Sequence, residues 1–189
     1  MIALAPTDRF SIVTVLDSGR PPAWATMFGW PATGGEAVPL SVRSAGDRTR
    51  WAARLDTAVR GADRAVLLVA DGLGCAASAW WARLSPADYV DRIAGALLFA
   101  PNEGAEPGLF DSPQTRLPFP SLVIQPGAAA TPVQAAVDDW GSRLVIGARE
   151  RQRGSGAVAW RQAQRLFLRL TEQVVAHDVD RAHAIAGRR

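Results

Sequence analysis

The sequence predicts one α/β domain, a mostly parallel central sheet with helices on both faces. Three observations predict it. Short β-branched runs alternate with helical stretches along the chain. Strand, crossover helix and strand recur about every 25 to 30 residues, the spacing of βαβ units. Two of the runs, Val66-Leu67-Leu68-Val69 and Ile93 to Phe99, are apolar without alternation, as strands buried on both faces are.

Each element follows from its residues. Phe10 to Leu16 reads as a first strand, broken by Asp17-Ser18-Gly19-Arg20-Pro21-Pro22. Residues 23–36 hold Trp24, Phe28 and Trp30 among Gly and Pro, so any helix there is short. Val38–Val42 is a second strand, and Pro39 restricts it to a sheet edge. Asp47 caps a helix running to about Arg60, with Trp51, Leu55, Ala58 and Val59 on one face. After the Val66–Val69 strand, Leu73 to Leu84 is helical, and Ile93–Phe99 is the next strand. A proline-rich loop spans Pro101 to Pro120. Leu122-Val123-Ile124 is a strand, Thr131-Pro132 starts a helix that ends at Gly141, and Arg143–Ile146 is the last strand. Ser155 to about Ala176 is a final amphipathic helix. The expected domain is therefore residues 1–176. Residues 177–189 form a tail expected to be loosely held, because Asp178, Asp180, Arg181, Arg188 and Arg189 leave little apolar surface.

The chain has 189 residues, 48% of them apolar and 21% charged, which is globular and enough for a core without staples. Its longest apolar runs are shorter than the ~20 residues of a membrane span. The first residues lack a basic and apolar leader, so a soluble, cytoplasmic protein is expected. One cysteine, Cys75, excludes an internal disulfide. The two histidines, His177 and His183, lie near the C-terminus, and no His/Cys cluster marks a metal site. No cofactor is expected. All 21 basic residues are arginine, which lifts the pI to about 10.3 on a net charge of only +3. Acids are interspersed among them, which argues against nucleic acid as a partner.

Ligands of parallel sheets sit at the carboxyl ends of the strands. The turns of interest follow Leu16, Ala70, Ala100, Gln125 and Ile146. Ala70-Asp71-Gly72-Leu73-Gly74 stands out, because it joins a buried strand directly to a helix with small residues two on either side of its centre. A nucleophile elbow needs that spacing, with Ser, Cys or Asp in the middle. Here the middle residue is Gly72. The alternatives are an ordinary glycine-rich turn or a weak phosphate loop, and Asp71 disfavours the latter.

Several stretches carry a resemblance. They are Trp24 after the first strand and Trp51-Ala52-Ala53-Arg54-Leu55-Asp56 before the central one. Val66–Ala70 with Leu73-Gly74-Cys75 and Gly95–Pro101 follow, then Leu117-Pro118-Phe119-Pro120-Ser121-Leu122-Val123 and Trp140-Gly141-Ser142-Arg143-Leu144. In order and spacing the chain resembles the small serine hydrolases of the YdeN and retinoblastoma-binding-protein-9 type, a branch of the α/β-hydrolase superfamily. The resemblance covers most of residues 10–160 and implies an α/β-hydrolase-like three-layer sandwich. It also implies that the catalytic set is lost. The family's serine falls on Gly72, its aspartate within Gly127-Ala128-Ala129-Ala130, and its histidine near Glu150-Arg151.

No catalytic residue is therefore assigned. Ala70 to Gly74 is read as a degenerate elbow. Ser18, Gly19 and the N–H of Leu73 could form a residual oxyanion-type nook, and Trp24, Asp71 and Glu150 could line a pocket. Phe28 and Trp30 join Trp24 there or pack in the core. Cys75 and Ser78 are expected to be packing residues. The reading is a pseudo-hydrolase that binds a small molecule or a protein partner. The alternatives are an esterase-like hydrolase with relocated residues, Asp71 or Cys75, and a structural subunit paired with an active paralogue. Composition and pattern set no oligomeric state.

Overall fold

The computed structural model describes residues 10–17, 35–101, 108–110, 114–126 and 131–147. The elements are β1 (Ser11–Asp17), β2 (Glu36–Leu40), α1 (Ala45–Gly61), β3 (Val66–Asp71) and α2 (Leu73–Leu84). They continue with α3 (Ala87–Val90), β4 (Ile93–Phe99), β5 (Ser121–Pro126), α4 (Thr131–Trp140) and β6 (Arg143–Gly147). The six strands form one sheet in the order β2-β1-β3-β4-β5-β6, and every neighbouring pair is parallel. The expected edge strand is at an edge: among the described residues β2 pairs with β1 alone, so Pro39 interrupts no second ladder there.

The centre of the sheet is its driest part. Val66, Leu68, Val69 and Ala70 of β3 are wholly shielded from solvent. Burying one such large aliphatic side chain is worth about 1.5–3 kcal/mol. Alternation along the strands divides the core in two. Val13, Val15, Leu68, Leu98 and Val123 meet α1, α2 and α4 in one cluster. Ile12, Leu67, Val69, Leu97, Leu122 and Ile124 form a second cluster on the opposite face. Among the described residues the helices lie on the first face. The expected final helix, residues 155–176, and the tail at 177–189 lie outside the described residues.

Side chains lock the helices to one another. Trp81 Nε1 donates to Asp56 Oδ1 at 2.8 Å, tying α2 to α1. The Arg92 guanidinium donates to the Val59 and Ala62 carbonyls, closing the C-terminal turn of α1. The loop after β4 has its own anchors. Phe110 packs edge-on to Trp51 and Trp80, each at 5.7 Å, and Arg48 donates to the Leu109 carbonyl.

Two readings need correction. The cap of α1 is Ser44, whose Oγ accepts from Asp47 N–H at 3.2 Å, while Asp47 Oδ2 accepts from Ser44 Oγ at 2.8 Å and from Arg43 N–H at 3.2 Å. Asp47 is thus the partner at the third helical position of a capping-box-like arrangement, not the cap itself. The short helix Ala87–Val90 was not expected. Pro86 opens it, and four residues are too few to show a period.

Candidate functional site

The strand order reverses direction between β1 and β3. From β1 the chain goes to β2 on one side and returns to β3 on the other. Ligand crevices of open parallel sheets lie at the carboxyl ends of the strands on either side of such a switch. The turn Asp71-Gly72-Leu73 stands at that place.

Its conformation follows from its residues. Gly72 has φ 53° and ψ −119°, a backbone state closed to ordinary L-residues without strain. That state reverses the chain within one residue, so β3 ends at Asp71 and α2 starts at Leu73. Gly72 N–H donates to the Phe99 carbonyl at 2.9 Å, tying the turn to β4, and Cys75 N–H donates to the Gly72 carbonyl at 3.2 Å. Gly74 is required by contact rather than by torsion. A Cβ on it would lie 2.9 Å from the Val15 carbonyl oxygen and 3.1 Å from Val15 Cγ1. The small residue two past the turn thus lets α2 lie against β1. Ala70, two before it, is fully buried.

Gly72, at the centre of the turn, has no side chain, and the thiol and hydroxyl that follow it on α2 are both buried. Cys75 is fully buried, and its Sγ donates to the Phe99 carbonyl at 3.4 Å. Burial, and then the charge of Asp71, push the thiol well above its usual pKa. A neutral, buried thiol is a poor nucleophile. Ser78 is 2% exposed, one turn further along α2, and its Oγ has no hydrogen-bond partner among the described residues. Asp71 is half-buried at the end of β3, opposite Phe99.

The structure brings Ala70, Asp71, Gly72, Leu73 and Gly74 together. The remaining expected site residues, Ser18, Gly19, Trp24 and Glu150, lie outside the described residues, as do Phe28, Trp30 and residues 127–130. Among the described residues no group of three His, Cys, Asp or Glu side chains is placed to hold a metal, and no helix is long and apolar enough to cross a membrane.

A profile for a family described as serine hydrolase matches residues 21–169, most of the chain. The chain belongs to the serine hydrolase family. Among solved structures it is similar to a YdeN-like hydrolase from Pectobacterium atrosepticum, at 18% identity and a TM-score of 0.57, over 88% of this chain and 92% of that one. That likeness shows an α/β-hydrolase-like fold. The Vlm2 thioesterase domain is a more distant likeness, at 12% identity and a TM-score of 0.46, over 82% of this chain and 93% of that one. No curated protein matches.

Two residues that precede turns of interest, Ala100 and Gln125, have features of their own that sequence reasoning did not assign. Ala100, directly after β4, has φ 43°, and Gln125, one residue before the end of β5, is buried. A polar residue closing the apolar run Leu122-Val123-Ile124 is the signal that could have marked Gln125.

Proposed function

We propose that this member of the serine hydrolase family has lost serine chemistry and binds a small molecule, or the end of a protein partner, at the carboxyl end of its sheet. One observation carries the reading. The residue in the sharp strand-to-helix turn is glycine, in a positive-φ conformation that an elbow uses to present a nucleophile. Gly72 keeps the turn and supplies no oxygen. On this reading Ala70 to Gly74 is a degenerate elbow. What remains at the turn are backbone donors: the first-turn N–H groups of α2, beginning with Leu73, lie in a helix whose cap has no side chain to accept from them. They suit a carbonyl oxygen. Ser18 and Gly19 would add a donor to the nook, and Trp24 and Glu150 would wall the pocket.

The alternative with a relocated nucleophile has two candidates. Cys75 is disfavoured by its burial and its raised pKa. Asp71 is off the centre of the turn, where a nucleophilic carboxylate would stand. A lone buried thiol is also in keeping with a cytoplasmic place. The purified protein is expected to hydrolyse short-chain nitrophenyl esters no faster than buffer. Turnover that is saturable and abolished by Asp71→Asn would establish the relocated enzyme instead.

A further inference from the structure

The end of β4 joins the Gly72 turn to a second unusual feature. On one side the Phe99 carbonyl accepts from Gly72 N–H at 2.9 Å and from the Cys75 thiol at 3.4 Å. On the other, Ala100 N–H donates to the Ile124 carbonyl at 2.9 Å. The ends of β3, β4 and β5 are therefore one hydrogen-bonded layer. Phe99 pairs with Ile124, so Ala100, just past β4, and Gln125, one residue before the end of β5, stand side by side.

Both residues are anomalous. Ala100 is 1% exposed and the one non-glycine residue with positive φ among those described. Its Cβ is crowded there, and such residues cluster at ligand sites. Gln125 is 9% exposed, and its Oε1 is buried with no hydrogen-bond partner among the described residues. Buried polar atoms nearly always have a partner, and an orphan calls for an explanation. Neither residue is needed to end a strand. Their coincidence, at the end of the sheet where parallel folds bind ligands, gives both one explanation.

We propose that Gln125 is a ligand-binding residue whose side-chain oxygen accepts a hydrogen bond from a neutral N–H or O–H group of a small molecule lying across the ends of β3, β4 and β5. The inference rests on the binding reading above and names the polar far end of the same ligand. Neutrality follows from the surroundings. Gln125 lies on the same strand face as Val123, in the apolar core cluster, and its neighbours across the sheet are Ala100 and Ile146. An ion there would be buried unpaired. Size follows from the sheet. Gln125 and the Gly72 turn are two strand spacings apart, about 10 Å. A ligand that meets both is about as long as two linked amide units.

N-acetylglycine N-methylamide and N-acetylglycine methyl ester test this, because they differ by a single N–H donor. Each is titrated into isotope-labelled protein and followed by NMR. The amide is expected to shift the Gln125 side-chain resonance and to bind about tenfold more tightly than the ester. Gln125→Leu should lose that preference and melt no lower than the parent, since it removes an orphan group. Equal binding of the two probes, or a preference that survives in Gln125→Leu, overturns the inference. In that case shifts at Leu73 and Gly74 would leave the binding reading standing. No shift at any of these residues with either probe overturns both.

Discussion

Helices α1 and α2 each follow a strand of the same sheet, and they begin in opposite ways. The start of α1 is fully dressed. Ser44 and Asp47 exchange hydrogen bonds, Arg43 N–H donates to Asp47, and the Arg50 guanidinium pairs with it. The start of α2 is bare. Its cap is Gly72, without a side chain, and its first turn is buried rather than bathed in water. A helix start at an exposed rim satisfies its own donors, because stability is all that is asked of it. A buried start at the switch point that has no side-chain cap has forgone about 1 kcal/mol of capping. That contrast is what the proposed binding role of the second turn would explain.

Substitutions on the two starts should therefore differ in size and kind. The largest effect is expected at Gly74. Gly74→Val places a branched side chain where even a Cβ meets the Val15 backbone at 2.9 Å, so α2 must move off β1. A loss of about 3 kcal/mol, the upper end of overpacking effects, is expected in denaturant unfolding. A loss below ~0.5 kcal/mol, the range of neutral surface changes, would mean that α2 does not lie against β1.

Gly72→Ser comes next. Serine at φ 53° is strained, and a loss of about 1–3 kcal/mol is expected. The variant should gain no ester hydrolysis, because a serine without a base and an orienting acid is inert. A stabilised variant would place residue 72 outside the sharp turn. Substantial turnover would reveal a base within reach, with Glu150 the first suspect.

The smallest effects belong to α1. Ser44→Ala should lower stability by about 1 kcal/mol, without touching any activity or binding at the other turn. Asp47 supplies a pH signature. Hydrogen bonds from the Ser44 hydroxyl, then from Arg50, then from Arg43 N–H hold its pKa at about 2 rather than 3.8. A lowered carboxylate stabilises the fold above its ordinary value and loses that contribution as the pH falls towards the lowered one. The difference between parent and Ser44→Ala should therefore be full above pH 3.8 and shrink as the pH approaches 2. A difference that persists unchanged at the acid end would assign the cap to something other than this pair.

Much of this layout is legible in the residues. Continuous apolar runs gave β3 and β4, because a strand buried on both faces has no polar alternation to hide it. Gly72 and Gly74 gave the turn, because small residues flanking its centre have a steric reason. The start of α1 was harder to place. Ser44 and Asp47 are both good caps, and the apolar period begins only at Trp51, so the pattern cannot choose between them. Phe110, Leu117 and Phe119 are buried in the expected loop, where no periodicity announces them. Phe110 owes its burial to Trp51 and Trp80, far away in sequence. Ala100 and Gln125 were legible only as the residues before two turns of interest. The orphaned oxygen and the positive φ depend on what the fold places around them.

The central claim is that the turn at Gly72 holds no activated nucleophile. Treating the purified protein with a fluorophosphonate and reading its intact mass tests this most directly. The mass should remain that of the unmodified chain under conditions that label an active serine hydrolase to completion. A single stoichiometric adduct, lost on prior unfolding, would contradict the account and show a working nucleophile in this fold.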